Sequence, residues 1–197
     1  MASTMRWSKS RRERFRRGAR AFAAAAFACA LAACGMLAPP GSLAVRGVQL
    51  YSTAGTAVLE LGLDCRLSGP MQDALDRGIP ITFAIDVRAG DWPRRQARAT
   101  RAIELRYYPL SRRYQLRLGD NPDDVRSFTT QAYLVSALGS LRLGLPAEFA
   151  HLAPATPLHV RAAIDPTALP GALRLPALFE PAWRLASADS TWPAATR

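Results

Sequence analysis

The chain of 197 residues holds one lysine, Lys9, two histidines, His151 and His159, and three cysteines. Each scarcity excludes a class of chemistry. The histidines form no His-x-x-x-His pair and the cysteines no Cys-x-x-Cys pair, so no ligand set stands at zinc spacing. Without Gly-x-x-x-x-Gly-Lys there is no phosphate-cradling loop, and without Gly-x-Ser-x-Gly there is no nucleophile elbow. No pattern asks for a metal or a cofactor, no catalytic set is visible, and no repeat of fixed period is present. The chain therefore reads as a non-enzyme.

Positive charge is plentiful overall, at a formal +11, but it is unevenly placed. Eight basic side chains and one acid, Glu13, fall within residues 1–20. Beyond them the charges nearly balance, so the folded part lacks the electrostatic footprint of a nucleic-acid binder. The basic stretch runs into the uncharged segment Ala21–Ala33 and then into a break at Pro39, Pro40, Gly41 and Ser42. A basic start, a short apolar run and a small-residue zone make the layout of an export signal. At about 1.5 Å per residue the thirteen-residue run spans about 20 Å, short of the roughly 30 Å hydrocarbon core. Leu31-Ala32-Ala33-Cys34 resembles the lipobox of bacterial lipoproteins, in which the cysteine is acylated and becomes the new N-terminus. Cys34 is thus the candidate lipidation site. An uncleaved inner-membrane anchor, or cleavage after Ala44 to release a soluble periplasmic protein, are the alternatives. The expected organisation is a signal or anchor with tether over 1–44, one β-rich domain over 45–192, and a tail over 193–197.

From Val45 onward the dominant period is two. Leu59 to Leu67, Ile81 to Arg88, Ile103 to Tyr108, Arg113 to Leu118, Leu141 to Leu145 and Leu158 to Asp165 each alternate apolar with polar or small residues. Such runs predict half-buried strands of antiparallel sheets. Val45–Tyr51 and Trp183–Leu185 are weaker candidates, for eight strands in all. Ser68–Gly78, with Ser68 as cap, Pro70 early and Gly78 past the end, predicts a short helix. A second helix is expected from Asn121-Pro122-Asp123-Asp124 onward, with Val125, Phe128, Ala132, Val135 and Leu138 as its apolar stripe and Gly139 as its stop. The stretch Leu169–Pro193, with prolines at 170, 176, 181 and 193, is expected to cross the surface in short pieces. The fold class is a mainly β, antiparallel β-sandwich, immunoglobulin-like in one form, with one or two short helices. A small barrel around a ligand is the alternative.

Few polar groups stand out. Asp86 and Glu104 fall on outward faces of adjacent strands, where ion pairing with Arg88 and Arg106 is a simpler account than a glycosidase pair. Arg88, Arg106, Arg113 and Arg117 make an anion-attracting face or, more plainly, a solvated one. His159 is outward on its strand, and His151 lies in a connection. Cys65 alternates with leucines and reads as core; with Cys29 in the signal and Cys34 acylated it has no disulfide partner.

The pieces Leu75-Asp76-Arg77-Gly78-Ile79-Pro80-Ile81, Ile103-Glu104-Leu105-Arg106-Tyr107, Leu110-Ser111-Arg112-Arg113-Tyr114 and Leu138-Gly139-Ser140-Leu141 follow one another in order. Val160-Arg161-Ala162, Leu169-Pro170-Gly171-Ala172-Leu173-Arg174, Trp183-Arg184-Leu185 and Trp192 complete the series. In this order the chain resembles an uncharacterised proteobacterial family, domain of unknown function 4390. The resemblance implies an exported, all-β envelope protein, often encoded near a two-component sensor kinase, and it carries over no catalytic residues. That family tends to have several aromatics after the third strand, where this chain has Trp92 alone. The expected function is a periplasm-facing, non-enzymatic binding or signalling-accessory domain, held on the membrane through its N-terminus, with an envelope protein as partner. A hydrolase of an envelope polymer and a carrier of an apolar ligand are the other classes.

Overall fold

In the computed structural model the residues described are 41–53, 55–91, 97–119 and 124–194. Cys34, the whole export segment through Pro40, and the Asn121–Asp123 helix start lie outside them.

Nine strands form two antiparallel sheets among these residues. β1 (Ser42–Thr53), β2 (Thr56–Arg66) and β7 (Leu141–Leu145) make the smaller sheet, in the order β1-β2-β7. β3 (Ile81–Ala89), β4 (Ala97–Tyr108), β5 (Arg113–Leu118), β6 (Val125–Phe128), β8 (Pro157–Ile164) and β9 (Ser190–Pro193) make the larger, ordered β6-β5-β4-β3-β8-β9. Period-two alternation explains why the sheets bury one face each. Leu59, Leu61, Leu63 and Cys65 point inward from β2, and Ile81, Phe83, Ile85 and Val87 from β3, all into one continuous core. The fold is therefore the expected antiparallel β-sandwich. Its strand order follows that of a variable-type immunoglobulin domain, A-B-E in one sheet and G-F-C-C′-C″ in the other. The difference is β6, which extends the larger sheet beside β5 where the immunoglobulin strand D would join the smaller one. The inter-sheet disulfide of antibody domains has no counterpart: Cys65 on β2 is a free, buried thiol, and β8 faces inward with Leu158, Val160, Ala162 and Ile164.

Among the described residues three helices close the sandwich: α1 (Gly69–Asp76), α2 (Gln131–Ala137) and α3 (Gly171–Phe179). α1 falls where the sequence placed it, and Gly78 takes a φ of 81° that suits glycine as the chain leaves the helix. Ser68 holds the N-cap position as expected, but its hydroxyl makes no cap bond and donates instead to the Ala182 carbonyl at 2.7 Å, tying α1 to the Pro181–Trp183 turn. The second expected helix is corrected more strongly. Val125–Phe128 is strand β6, paired to β5 with Tyr114 opposite Phe128, and the helix begins only after Thr130, whose side chain accepts from the Tyr133 N–H. β-branched and aromatic residues at 125–130 disfavour a helix and suit a pleated edge. The buried helical positions are then Leu134 and, just beyond, Leu138, while Ala132 is exposed.

Two further corrections fall near the C-terminus. Trp183–Leu185 is not a strand: Trp183 ends a 3-10 turn, and the last strand lies at Ser190–Pro193. Part of the proline-marked stretch forms α3, because Pro170 stands just before its first turn, where a missing N–H costs nothing.

The domain's limits also differ from the sequence boundaries. β1 starts at Ser42, three residues ahead of Val45, with Leu43 buried opposite Cys65. At the other end Ala194 is buried; its N–H donates to Thr156 O and its carbonyl accepts from Ala155 N. Between the sheets Arg101, on β4, reaches across to the edge strand β7 and donates from Nε to the Gly144 carbonyl at 2.6 Å.

Candidate functional site

The register of the larger sheet decides which polar groups share its outer face. Arg88 stands opposite Arg98 and His159, Asp86 opposite Thr100 and Arg161, Glu104 opposite Arg117, and Tyr108 opposite Arg113. Side chains of directly paired residues point to the same side. The outer face of β3, β4, β5 and β8 therefore carries Arg88, Arg98, Arg106, Arg113, Arg117 and Arg161, against Asp86 and Glu104. The four arginines singled out in sequence share this face: Arg106, Arg113 and Arg117 lie near one end, and Arg88, opposite Arg98, is offset from Arg106 by eight residues, about 27 Å. Arg98 and Arg161 join them; Arg98 escaped notice because β4 starts with alanines, Ala97 and Ala99, in its inward places instead of large apolar residues.

The pairing on this face is not the expected one. Asp86 takes its contacts from Arg98, at 3.7 Å, and from the Thr100 hydroxyl, at 2.6 Å. Arg88 instead binds Asp189, in the segment before β9. Arg106 lies with its guanidinium carbon 5.1 Å from the centre of the Tyr108 ring. Asp86 and Glu104 do not form a catalytic pair. Thr100, opposite Asp86, is four residues from Glu104 along β4, and at 3.4 Å per residue the offset is about 14 Å. A glycosidase needs roughly 5–9.5 Å.

His159 has two partners that sequence did not give it. Its Nε2 lies 3.2 Å from Asp91 Oδ1 and its Nδ1 3.1 Å from Thr191 Oγ1. Thr191 could be found only once β9 was known to pair with β8. The Asp91–His159–Thr191 line sits on the open sheet face, and its register, with Thr191 opposite His159, explains the contact as a cross-strand pair. His151 ends the 3-10 turn Ala147–His151 on the surface. Among the described residues no group of three or more His, Cys, Asp or Glu is placed to hold a metal ion.

The smaller sheet carries a second polar cluster. Glu60 accepts from the Tyr51 hydroxyl at 2.9 Å and from Arg142 Nε at 2.9 Å, and Gln49 Oε1 lies 2.6 Å from the same hydroxyl. These bonds, Tyr51 first and Arg142 second, hold the Glu60 carboxyl below the usual carboxylate range. A shallow cleft of about 380 Å³ beside it is lined by Arg46, Glu60, Gly62 and Ser140 among others. Arg46 is the extra residue of a bulge between Val45 and Gly47 and reaches Asp64 from Nε at 3.1 Å.

Buried Cys65 and half-buried Tyr114 are both shifted away from ionisation. Burial, assisted by Asp64, pushes the Cys65 thiol up to about 12, as a core cysteine requires. Tyr114 is likewise raised to about 12 by burial and by donating to Asp76 at 2.8 Å.

Taken together these features define a mainly β, two-sheet domain with a cationic outer face. The chain belongs to the family described as domain of unknown function (DUF4390), whose model matches residues 41–193. No curated protein and no solved structure matches it.

Proposed function

We propose that the protein is an exported, envelope-associated β-domain with a non-enzymatic binding role, held on a membrane through acylated Cys34 and presenting the outer face of its larger sheet to an anionic envelope component. The observation that carries the reading is that the strands of that face carry six arginines against Asp86 and Glu104, with Asp91 and Asp189 reaching it from the flanking segments. Arginine supplies planar, bidentate donors suited to carboxylate and phosphate groups. The basic start, the apolar run and the lipobox-like Leu31–Cys34 support the membrane attachment.

The test is co-purification of the full chain from envelope fractions, comparing wild type with the double variant Arg106→Glu, Arg161→Glu. A component retained by wild type, released by salt and lost from the variant supports the reading. Equal retention by both refutes the assigned face. Mass spectrometry of the mature N-terminus checks the anchor: an acylated start at Cys34 is expected, and an unmodified start elsewhere sinks it.

A further inference from the structure

Among the described residues the large apolar side chains left exposed are Leu110, Tyr133, Leu175, Leu178 and Phe179. Three belong to α3, where Leu175 is 67 %, Leu178 50 % and Phe179 74 % exposed. The helix buries its opposite side: Ala177 is in the core and Leu173 packs against it. At 100° per residue Leu173 and Ala177 point away from Leu175, while Leu178, Phe179, Gly171 and Ala172 flank it. The outward face of α3 is thus apolar along its length, and Arg174 is its only charged residue. A helix apolar on both sides is ordinarily covered on both.

The position of α3 says what covers it. Strand register brings the start of β1, the ends of β2, β4 and β8, and the start of β3 to one end of the sandwich. α3 and the β4–β5 turn with fully exposed Leu110 belong to that end. So does the entry point of the chain. A Cβ on Gly41 would stand 2.8 Å from Leu185 Cδ1 and 2.9 Å from the Arg66 carbonyl, so the chain enters pressed against Leu185. The neighbouring Arg184 donates from Nε to the Leu178 carbonyl, in the last turn of α3, at 3.0 Å. Exposed Arg66, Arg77, Arg112, Arg174 and Arg184 border this end, against Asp73, Asp76 and Glu180. Only seven residues, Cys34–Pro40, separate the uncharged Ala21–Ala33 segment from Gly41. Even fully extended they reach about 25 Å.

We propose that the outer face of α3 is a bilayer-contacting surface. Leu175, Leu178 and Phe179 enter the boundary between headgroups and acyl chains, and the bordering arginines meet anionic headgroups. An apolar helical face rimmed by arginine is the pattern of an interfacial helix. The inference rests on the N-terminal membrane attachment proposed above, which keeps this end within reach of the bilayer.

The experiment reconstitutes the full chain in vesicles of phosphatidylethanolamine and phosphatidylglycerol, with p-benzoylphenylalanine replacing Phe179, or replacing Glu148 at the far end as control. Flotation is read first and photo-crosslinked products second, by mass spectrometry. The expected result is a floating protein whose position 179 gives lipid adducts at least about tenfold more often than position 148, as insertion of an apolar face requires. A chain that floats but yields protein adducts at 179, to another protein or to a second copy, overturns the inference and leaves the attachment standing. So does a lipid yield no higher at 179 than at 148. A chain that does not float overturns the attachment and the inference together.

Discussion

Replacing Phe83 by alanine tests the packing of the sandwich at its centre. β3 is hydrogen-bonded on both sides, with Ile103 of β4 and Ile164 of β8 opposite Phe83, and its ring is fully buried beneath the smaller sheet. Removing the ring forfeits its transfer energy and leaves a hole that a strand clamped on both sides cannot collapse into. The cost is expected at about 3–5 kcal/mol, a large part of the roughly 5–15 kcal/mol that holds a domain together. With a urea slope of about 2 kcal/mol/M, the denaturation midpoint should fall by about 2 M at unchanged slope. Arg106→Ala is the matched control. It lies on the outer face of the neighbouring strand and loses only an exposed contact with the Tyr108 ring, worth about 0.5–1 kcal/mol. Its midpoint should move by less than about 0.5 M. If Arg106→Ala proves as damaging as Phe83→Ala, the inner and outer faces of the larger sheet are wrongly assigned, and the cationic face loses its basis.

Leu105→Ala, from an equally buried site on β4, should cost about 2–5 kcal/mol in the same melts. Cys65 should resist thiol reagents in the native protein; labelling at the rate of an exposed cysteine would show that β2 is out of register. Its thiol is raised by folding, so stability should fall as pH climbs from about 9, where the unfolded thiol ionises, toward about 12, and Cys65→Ala should remove that loss. Glu60 is shifted the opposite way. Its contribution is present above the unfolded carboxylate value and is lost as pH falls through the lower folded one, so melts of wild type and Glu60→Gln should converge in acid. A chain beginning at Val45 should be less stable than one beginning at Gly41 by about 1.5–3 kcal/mol, since it lacks buried Leu43; equal melts would show that the start of β1 contributes nothing.

How far the sequence could be read follows from what alternation reports. Where one face is Leu, Ile or Val and the other charged, as in β2, β3 and β5, period two names the strand and its inner side. β4 extends six residues earlier than the Ile103 start because its inward places there include alanines, which carry little signal. β6 and the helix after it were fused into one element, since Val125, Phe128, Val135 and Leu138 also fit a spacing of three to four. Local propensity and the Thr130 cap separate them. β9 has four residues and a proline, too short for any period to register. The arginine face was half legible. Each strand showed its outward cations, but the register that aligns Arg161 with Asp86 is long-range information. The apolar outer side of α3 was hidden because the prolines of this stretch marked only short surface pieces.

The migration of β6 to the larger sheet has a cost at the other side of the molecule. It leaves β7 as an edge strand of five residues, with its backbone polar groups open to pairing by a foreign chain. Arg101 lies across that edge, its guanidinium engaged at Gly144. A charged side chain in that place obstructs an incoming strand without adding a strand of its own. At β7 the obstruction to growth into sheets of several molecules therefore hangs on a single side chain.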